Sequence, residues 1–121
     1  MADARLSNSK IATYREFWPH YLREHGKPAT RRIHFLGTGL AVAGLVGWAT
    51  TGNGWFAAVA LVGGYAPAWI GHFFIEKNRP ATFTYPLWSL ISDFRMAGLW
   101  VVGLLGPELE RAGVPPGRAP R

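Results

Sequence analysis

The chain has 121 residues, no cysteine, and a net charge of +6 from 13 Lys and Arg against 7 Asp and Glu. That length favours a single domain, and the missing cysteine excludes disulfides, thiolate metal sites and thiol catalysis. Nearly half the residues are hydrophobic, yet mean hydropathy is close to neutral, so the apolar residues are segregated into stretches rather than scattered.

Positions 1–9 are polar and lack the apolar core of a secretory signal. They are expected to be disordered, with Ser7 and Ser9 as helix-capping residues. From Lys10 to His25 the pattern is amphipathic: Tyr14, Phe17, Trp18, Tyr21 and Leu22 fall within one arc of roughly 140°. Such an aromatic face suits a helix lying at the headgroup boundary of a bilayer. Gly26 and Pro28 should end it.

Two long apolar runs follow, over positions 33–51 and 55–75. About 20 apolar residues cross a hydrocarbon core. Small residues recur at four-residue spacing in both, as Gly39, Ala43 and Gly47 and then as Ala60, Gly64 and Ala68. That spacing lets neighbouring helices approach closely. Between the runs, positions 50–54 (Thr-Thr-Gly-Asn-Gly) compose an uncharged turn, and Pro67 should kink the second helix. Lys27, Arg31 and Arg32 precede the first run, and Lys77 and Arg79 follow the second. Basic residues so placed describe a transmembrane hairpin with both outer ends in the cytoplasm, not a nucleic-acid footprint, and no nucleic-acid-binding module is visible.

In the last third, Asp93 and Arg95 interrupt an apolar stretch, and burying both in a spanning helix would be expensive. The pattern predicts a shallow helix from Pro86, then a short hydrophobic helix over about 96–105. The tail from 111 reads as disordered by composition. The fold expected is an all-α integral membrane bundle over 10–110: an interfacial helix, a two-helix hairpin and a shorter C-terminal hydrophobic helix.

Four histidines carry the chemistry. His25 falls near the centre of the aromatic arc of the first helix, whereas His20 falls on its polar side. Counting from the turn, His34 lies about 18 residues back and His72 about 19 forward, so at ~1.5 Å per residue they share a depth near the basic edge. A structural reading leaves each imidazole capping a carbonyl or reaching for the headgroups. Matched depth favours a site in which His25, His34 and His72 hold a divalent metal such as iron or zinc through neutral imidazoles with open positions. Glu76, four residues after His72, is a further ligand, an outer partner orienting an imidazole, a catalytic base, or a helix-end charge paired with Lys77. Arg79, Tyr85 and Arg95 lie near the same edge as candidates for a substrate carboxylate, the arginines doubling as membrane anchors. Tyr65 and Trp69 share the His72 face as packing residues or as the wall of an acyl channel.

Two segments carry a resemblance. Tyr21-Leu-Arg-Glu-His25-Gly-Lys-Pro-Ala-Thr-Arg-Arg-Ile-His34-Phe-Leu-Gly37 and Trp69-Ile-Gly71-His72-Phe-Phe-Ile-Glu76-Lys-Asn78-Arg-Pro80-Ala resemble the two signatures of the membrane 2-hydroxy-fatty-acid dioxygenases. The likeness runs from about Tyr14 to Val102. It implies an Fe(II) enzyme, with His25, His34 and His72 matching the family's histidines, that uses O₂ to shorten a 2-hydroxy fatty acid by one carbon. The partners implied are a fatty-acyl substrate, O₂ and a lipid bilayer: the endoplasmic reticulum in a eukaryote, the cytoplasmic membrane in a bacterium. The chain departs from the fungal form in being shorter, with fewer apolar segments, and in having no Asn where the pattern often has one, at Ala29 or Thr30. Without the resemblance, His34 and His72 equally suit bis-histidine haem, a zinc hydrolase with Glu76 as base, or a scaffold with structural histidines.

Overall fold

A computed structural model describes residues 11–115, and all regular structure among them is helical. The expectations for Ser7, Ser9 and the extreme C-terminus lie outside the described residues. Helix α1 spans Tyr14–Glu24, with the Thr13 hydroxyl accepting the Glu16 N–H at 3.3 Å as its cap. Helix α2, Pro28–Thr51, opens on a proline, whose missing N–H costs nothing at a first helical position. It closes on Gly52 at φ 73°, a left-handed conformation that glycine adopts without strain. Helix α3, Trp55–Ile70, widens without a break into a π-helical turn, Gly71–Glu76. A short 3₁₀ turn, Ala81–Phe83, leads to α4, Pro86–Val101, and to α5, Leu105–Arg111.

Helices α2 and α3 form the expected hairpin, and backbone contact holds it together. A Cβ added at Gly44 would stand 2.7 Å from the Ala60 nitrogen, and one at Gly37 would stand 2.9 Å from the Gly64 oxygen. Ala60 and Gly64 are therefore at the crossing, as their spacing predicted. On α2 the expected stripe is corrected: Gly39 faces open space, Ala43 is exposed, and the contact runs through Gly37, Gly44 and Gly47. The register is set by where α3 crosses α2, which a repeat of small residues does not specify.

Both limbs of the hairpin are long and apolar enough to cross a membrane, Pro28–Thr51 and Trp55–Glu76, and only 17% of each apolar window is buried by the chain itself. Leu36, Val46, Leu61 and Val62 are more than half exposed. So large an apolar surface on a helix pair calls for an apolar surrounding, and the architecture is that of an all-helical membrane bundle.

Helix α1 uses its aromatic arc differently from expectation. Phe17, Tyr21 and Leu22 are fully buried with Met96, Leu105, Ala112 and Val114, so α4, α5 and the segment after α5 cover that face. Two further corrections follow. The region from Pro86 is one continuous helix to Val101, without a break near Met96, because Asp93 and Arg95 each find a partner outside α4. The chain from 111 is also ordered as far as it is described, with Ala112 and Val114 packed into the aromatic core.

These contacts predict opposite outcomes for two glycines of α2. Gly44→Ala, which drives a methyl into α3 backbone, should destabilise the hairpin by about 1–3 kcal/mol. Gly39→Ala should be neutral or stabilising by up to about 1 kcal/mol, through helix propensity alone. Thermal unfolding in detergent followed by circular dichroism separates the two.

Candidate metal centre

Three helical elements deliver one imidazole each to a single point. His25 is the C-cap of α1, His34 lies in the second turn of α2, and His72 is the second residue of the π turn. All three are buried, and each offers a nitrogen so placed that the three lie within 4.8 Å of one another. The ring centroids of His34 and His72 stand 4.6 and 4.4 Å from that of His25, and 5.9 Å from each other. The Gly71–Thr30 contact allows this closeness, since a Cβ at Gly71 would stand 3.3 Å from the Thr30 methyl and 2.9 Å from Ile33.

The tautomers follow from the hydrogen bonds. His25 Nδ1 lies 2.7 Å from the Tyr21 carbonyl, which can only accept, so the proton is on Nδ1 and Nε2 carries a lone pair. Asn78 donates its amide N–H to the Glu24 carbonyl at 3.0 Å. Its Oδ1 therefore turns to His72 Nδ1, 2.7 Å away, which must donate, and again Nε2 is left as a lone pair. The two Nε2 atoms face each other at 3.0 Å. On His34, Nε2 lies 3.4 Å from Asp93 Oδ1, while the buried Nδ1 has no partner. A proton on Nε2 facing the carboxylate leaves Nδ1 as the third lone pair. Burial, with the neighbouring His34 and His72 adding to it, holds His25 well below the usual histidine range, so it is neutral at pH 7.

This donor set fits a metal ion. Three neutral imidazole nitrogens suit iron or zinc, and each ring's other nitrogen is tied to a carbonyl, an amide or a carboxylate, as metal-binding histidines usually are. A separation of 3.0 Å is that of two ligands at about a right angle around a metal with bonds of ~2.1 Å. The cavity beside the rings is about 10 Å³, room for one water-sized particle. Bis-histidine haem does not fit: the three rings form a triangle with centroids 4.4, 4.6 and 5.9 Å apart, and among the described residues the cavity they line is about 10 Å³, far too small for a porphyrin.

Asp93 was unassigned at the sequence level beyond needing a distant partner. It accepts the Tyr21 phenol at 2.6 Å and faces His34. Burial pushes its carboxyl up to about 7, against the lowering effect of the Tyr21 hydrogen bond. Tyr65, Trp69, Thr82 and Ser89 complete the cavity wall. The buried Trp69 indole N–H has no partner among the described residues.

Other expected site residues stand elsewhere. Glu76 accepts the backbone N–H of Lys27 and ties the π turn to the start of α2, outside the cavity wall. Arg79 lies over the Phe83 ring at 5.2 Å, and Arg95 over Trp18 at 4.0 Å. The Tyr85 hydroxyl accepts the Ile11 N–H at 2.7 Å, and its ring packs on Phe17 and Trp88. None of the three lines the histidine cavity. His20, expected in water, is half-buried against Phe17 and Tyr85, on the side of α1 away from the other imidazoles.

The fold and the site define a helical membrane protein with three buried histidines arranged to hold a metal ion. A family model described as 2-hydroxy-palmitic acid dioxygenase Mpo1-like matches residues 11–105. The chain belongs to that family. Neither the curated proteins nor the solved structures contain a match to it.

Removing one imidazole should strip the metal, whereas removing an orienting partner should only weaken it. His25→Ala, His34→Ala and His72→Ala should each abolish stoichiometric metal, and His20→Ala should leave it unchanged. Asn78→Ala and Asp93→Asn should weaken binding by about 10–100-fold. Metal titration of purified protein with elemental analysis reads all six; full binding in Asn78→Ala would contradict the tautomer assignment.

Proposed function

We propose that this chain is an Fe(II)-dependent dioxygenase that shortens a membrane-borne 2-hydroxy fatty acid by one carbon. Family membership supplies the reaction class. The observation that carries the reading in this chain is the convergence of three imidazole nitrogens: His25 and His72 each hydrogen-bond through Nδ1, and His34 turns Nε2 toward Asp93 at 3.4 Å with its Nδ1 left unpartnered. Overall, the 2-hydroxy acid and O₂ give the acid one carbon shorter, CO₂ and water; O₂ takes up the four electrons released when C1 becomes CO₂ and C2 becomes the new carboxyl carbon.

His25, His34 and His72 would hold the iron, which supplies open coordination positions and the redox capacity to use O₂. The protein's own groups do the rest. Tyr21 and Asn78 keep the protons of His25 and His72 away from the metal side. Asp93, beside His34 and hydrogen-bonded to Tyr21, is the group placed to exchange a proton with a substrate hydroxyl. The unpaired Trp69 indole N–H is the donor available to a substrate carboxylate, in place of Arg79 and Arg95. The small cavity, walled by Tyr65, Ala68 and Trp69, excludes bulk water. Glu76 acts structurally, fastening the π turn that carries His72.

Protein purified without oxygen and loaded with iron should consume O₂ on addition of 2-hydroxypalmitic acid and release the acid one carbon shorter. Stoichiometric zinc with no oxygen uptake across a range of chain lengths would sink the reading.

The same reading places the α1 end and the Arg79 loop in the cytoplasm, with Asn53 opposite. The cysteine-free chain suits single-cysteine labelling. Asn53→Cys should react with an impermeant maleimide only from the non-cytoplasmic side, and reaction only from the cytoplasmic side would reverse the topology.

A further inference from the structure

Between the hairpin and α4 runs an apolar groove of about 340 Å³. At one end it shares Tyr65 and Asp93 with the wall of the histidine cavity; at the other it is bounded by Trp48 and Ala57, near the turn. Between those ends Ala41 and Leu45 are among its walls. A depression around Leu40 and Val59 shares no residue with the histidine cavity; another, around Leu61, Val62 and Ala66, shares Tyr65, Trp69 and Thr82 with it but has no carboxylate in its wall. We propose, resting on the function given above, that this groove holds the acyl chain of the substrate, and that Trp48 is the residue that reads its length.

Three features point to this occupant. Among the described residues the groove and the histidine cavity have Tyr65 and Asp93 as common walls, so a chain lying in the groove would bring its head beside the imidazoles. The one carboxylate in the groove wall, Asp93, stands at that end. Length agrees as well. Tyr65 and Ala57 are eight residues apart on α3, or ~12 Å. An extended chain advances ~1.2 Å per bond, given three bonds per ~3.3–3.6 Å residue, so about ten bonds fit. Longer acids then reach Trp48, whose ring lies half in the groove and half exposed at 47%.

Photo-crosslinking in lipid nanodiscs tests this without requiring turnover. Two 2-hydroxy acids would be compared, one with a diazirine a few carbons from the carboxylate, the other with it about ten bonds further on. The first should label the Tyr65 region and the second Leu45, Trp48 or Ala57, a shift of about two helical turns. Unlabelled 2-hydroxy acid should displace both, and its methyl ester should not. In the iron-loaded protein, Trp48→Ala should move the preference toward longer acids. Crosslinks that follow the groove without any oxygen uptake would support the groove while removing the dioxygenase reading. Oxygen uptake with crosslinks scattered over Val42, Val46 and Val59 would overturn the groove and leave that reading intact. Equal displacement by the ester would assign the groove to ordinary bilayer lipid and would also overturn it.

Discussion

Two imidazole nitrogens that both lack a proton face each other at 3.0 Å in the interior of this protein. Lone pairs so placed repel, and hydrogen bonds cannot relieve them, because Tyr21 and Asn78 already claim the only proton on each ring. A cation between them converts the repulsion into ligation. Much of the fold serves to hold this arrangement. The last turn of α1 aims its carbonyls at His25, the π turn presents His72, and Arg31 ties the α1–α2 linker by donating to the carbonyls of His25 and Gly26 at 2.8 and 3.1 Å. Folding energy from the aromatic core and from hairpin packing is thus spent partly on holding nitrogens that would otherwise separate.

The hairpin, its turn and the three histidines were legible in the sequence because each rests on a short-range rule. Apolar run length gives the spans, an uncharged Gly-Asn-Gly gives the turn, and counting from that turn places His34 and His72 at one depth. What escaped has a common physical cause: it depends on tertiary partners. Asp93 looked like a liability in an apolar stretch, and its partners Tyr21 and His34 lie about seventy and sixty positions away. Glu76 was assigned to the His72 face by an i,i+4 rule, but its carboxylate is claimed by the backbone N–H of Lys27, 49 positions away. The α2 contact stripe was misplaced for a related reason, since four-residue spacing of small side chains is satisfied equally by Gly39 and by Gly37. The aromatic arc of α1 was read correctly as an apolar face, but pattern alone does not say whether lipid or protein covers it.

The polar residues at the end of the bundle away from the hairpin turn form a second framework with a separate task. Trp18 donates its indole N–H to Glu108 at 2.9 Å while Arg95 lies over its ring, and Arg23 donates to the Ala112 carbonyl. These bonds fasten α1 to α4 and α5, and α1 carries both Tyr21 and His25. Arg95, expected to hold a substrate carboxylate, here helps fasten the helix that delivers one of the three histidines. Charge near a membrane edge is ambiguous in sequence for this reason, since anchoring, packing and catalysis all draw on the same residue types.

On the function proposed above, the depth of the centre has a consequence for how the protein would meet its substrate. His34 lies six residues into α2, ~9 Å along a helix that runs ~36 Å in all, so in a spanning hairpin the imidazoles would sit beneath the headgroup layer, with the hydrocarbon core beyond them. An amphiphile in that leaflet would already hold its carboxylate at this level and its tail in the direction of the turn. It would reach the site by sliding sideways, with its long axis already aligned and without leaving oil for water. The encounter is a search in two dimensions, governed by surface density in the bilayer rather than by concentration in solution, and the membrane supplies part of the orientation that a soluble enzyme must build into its pocket.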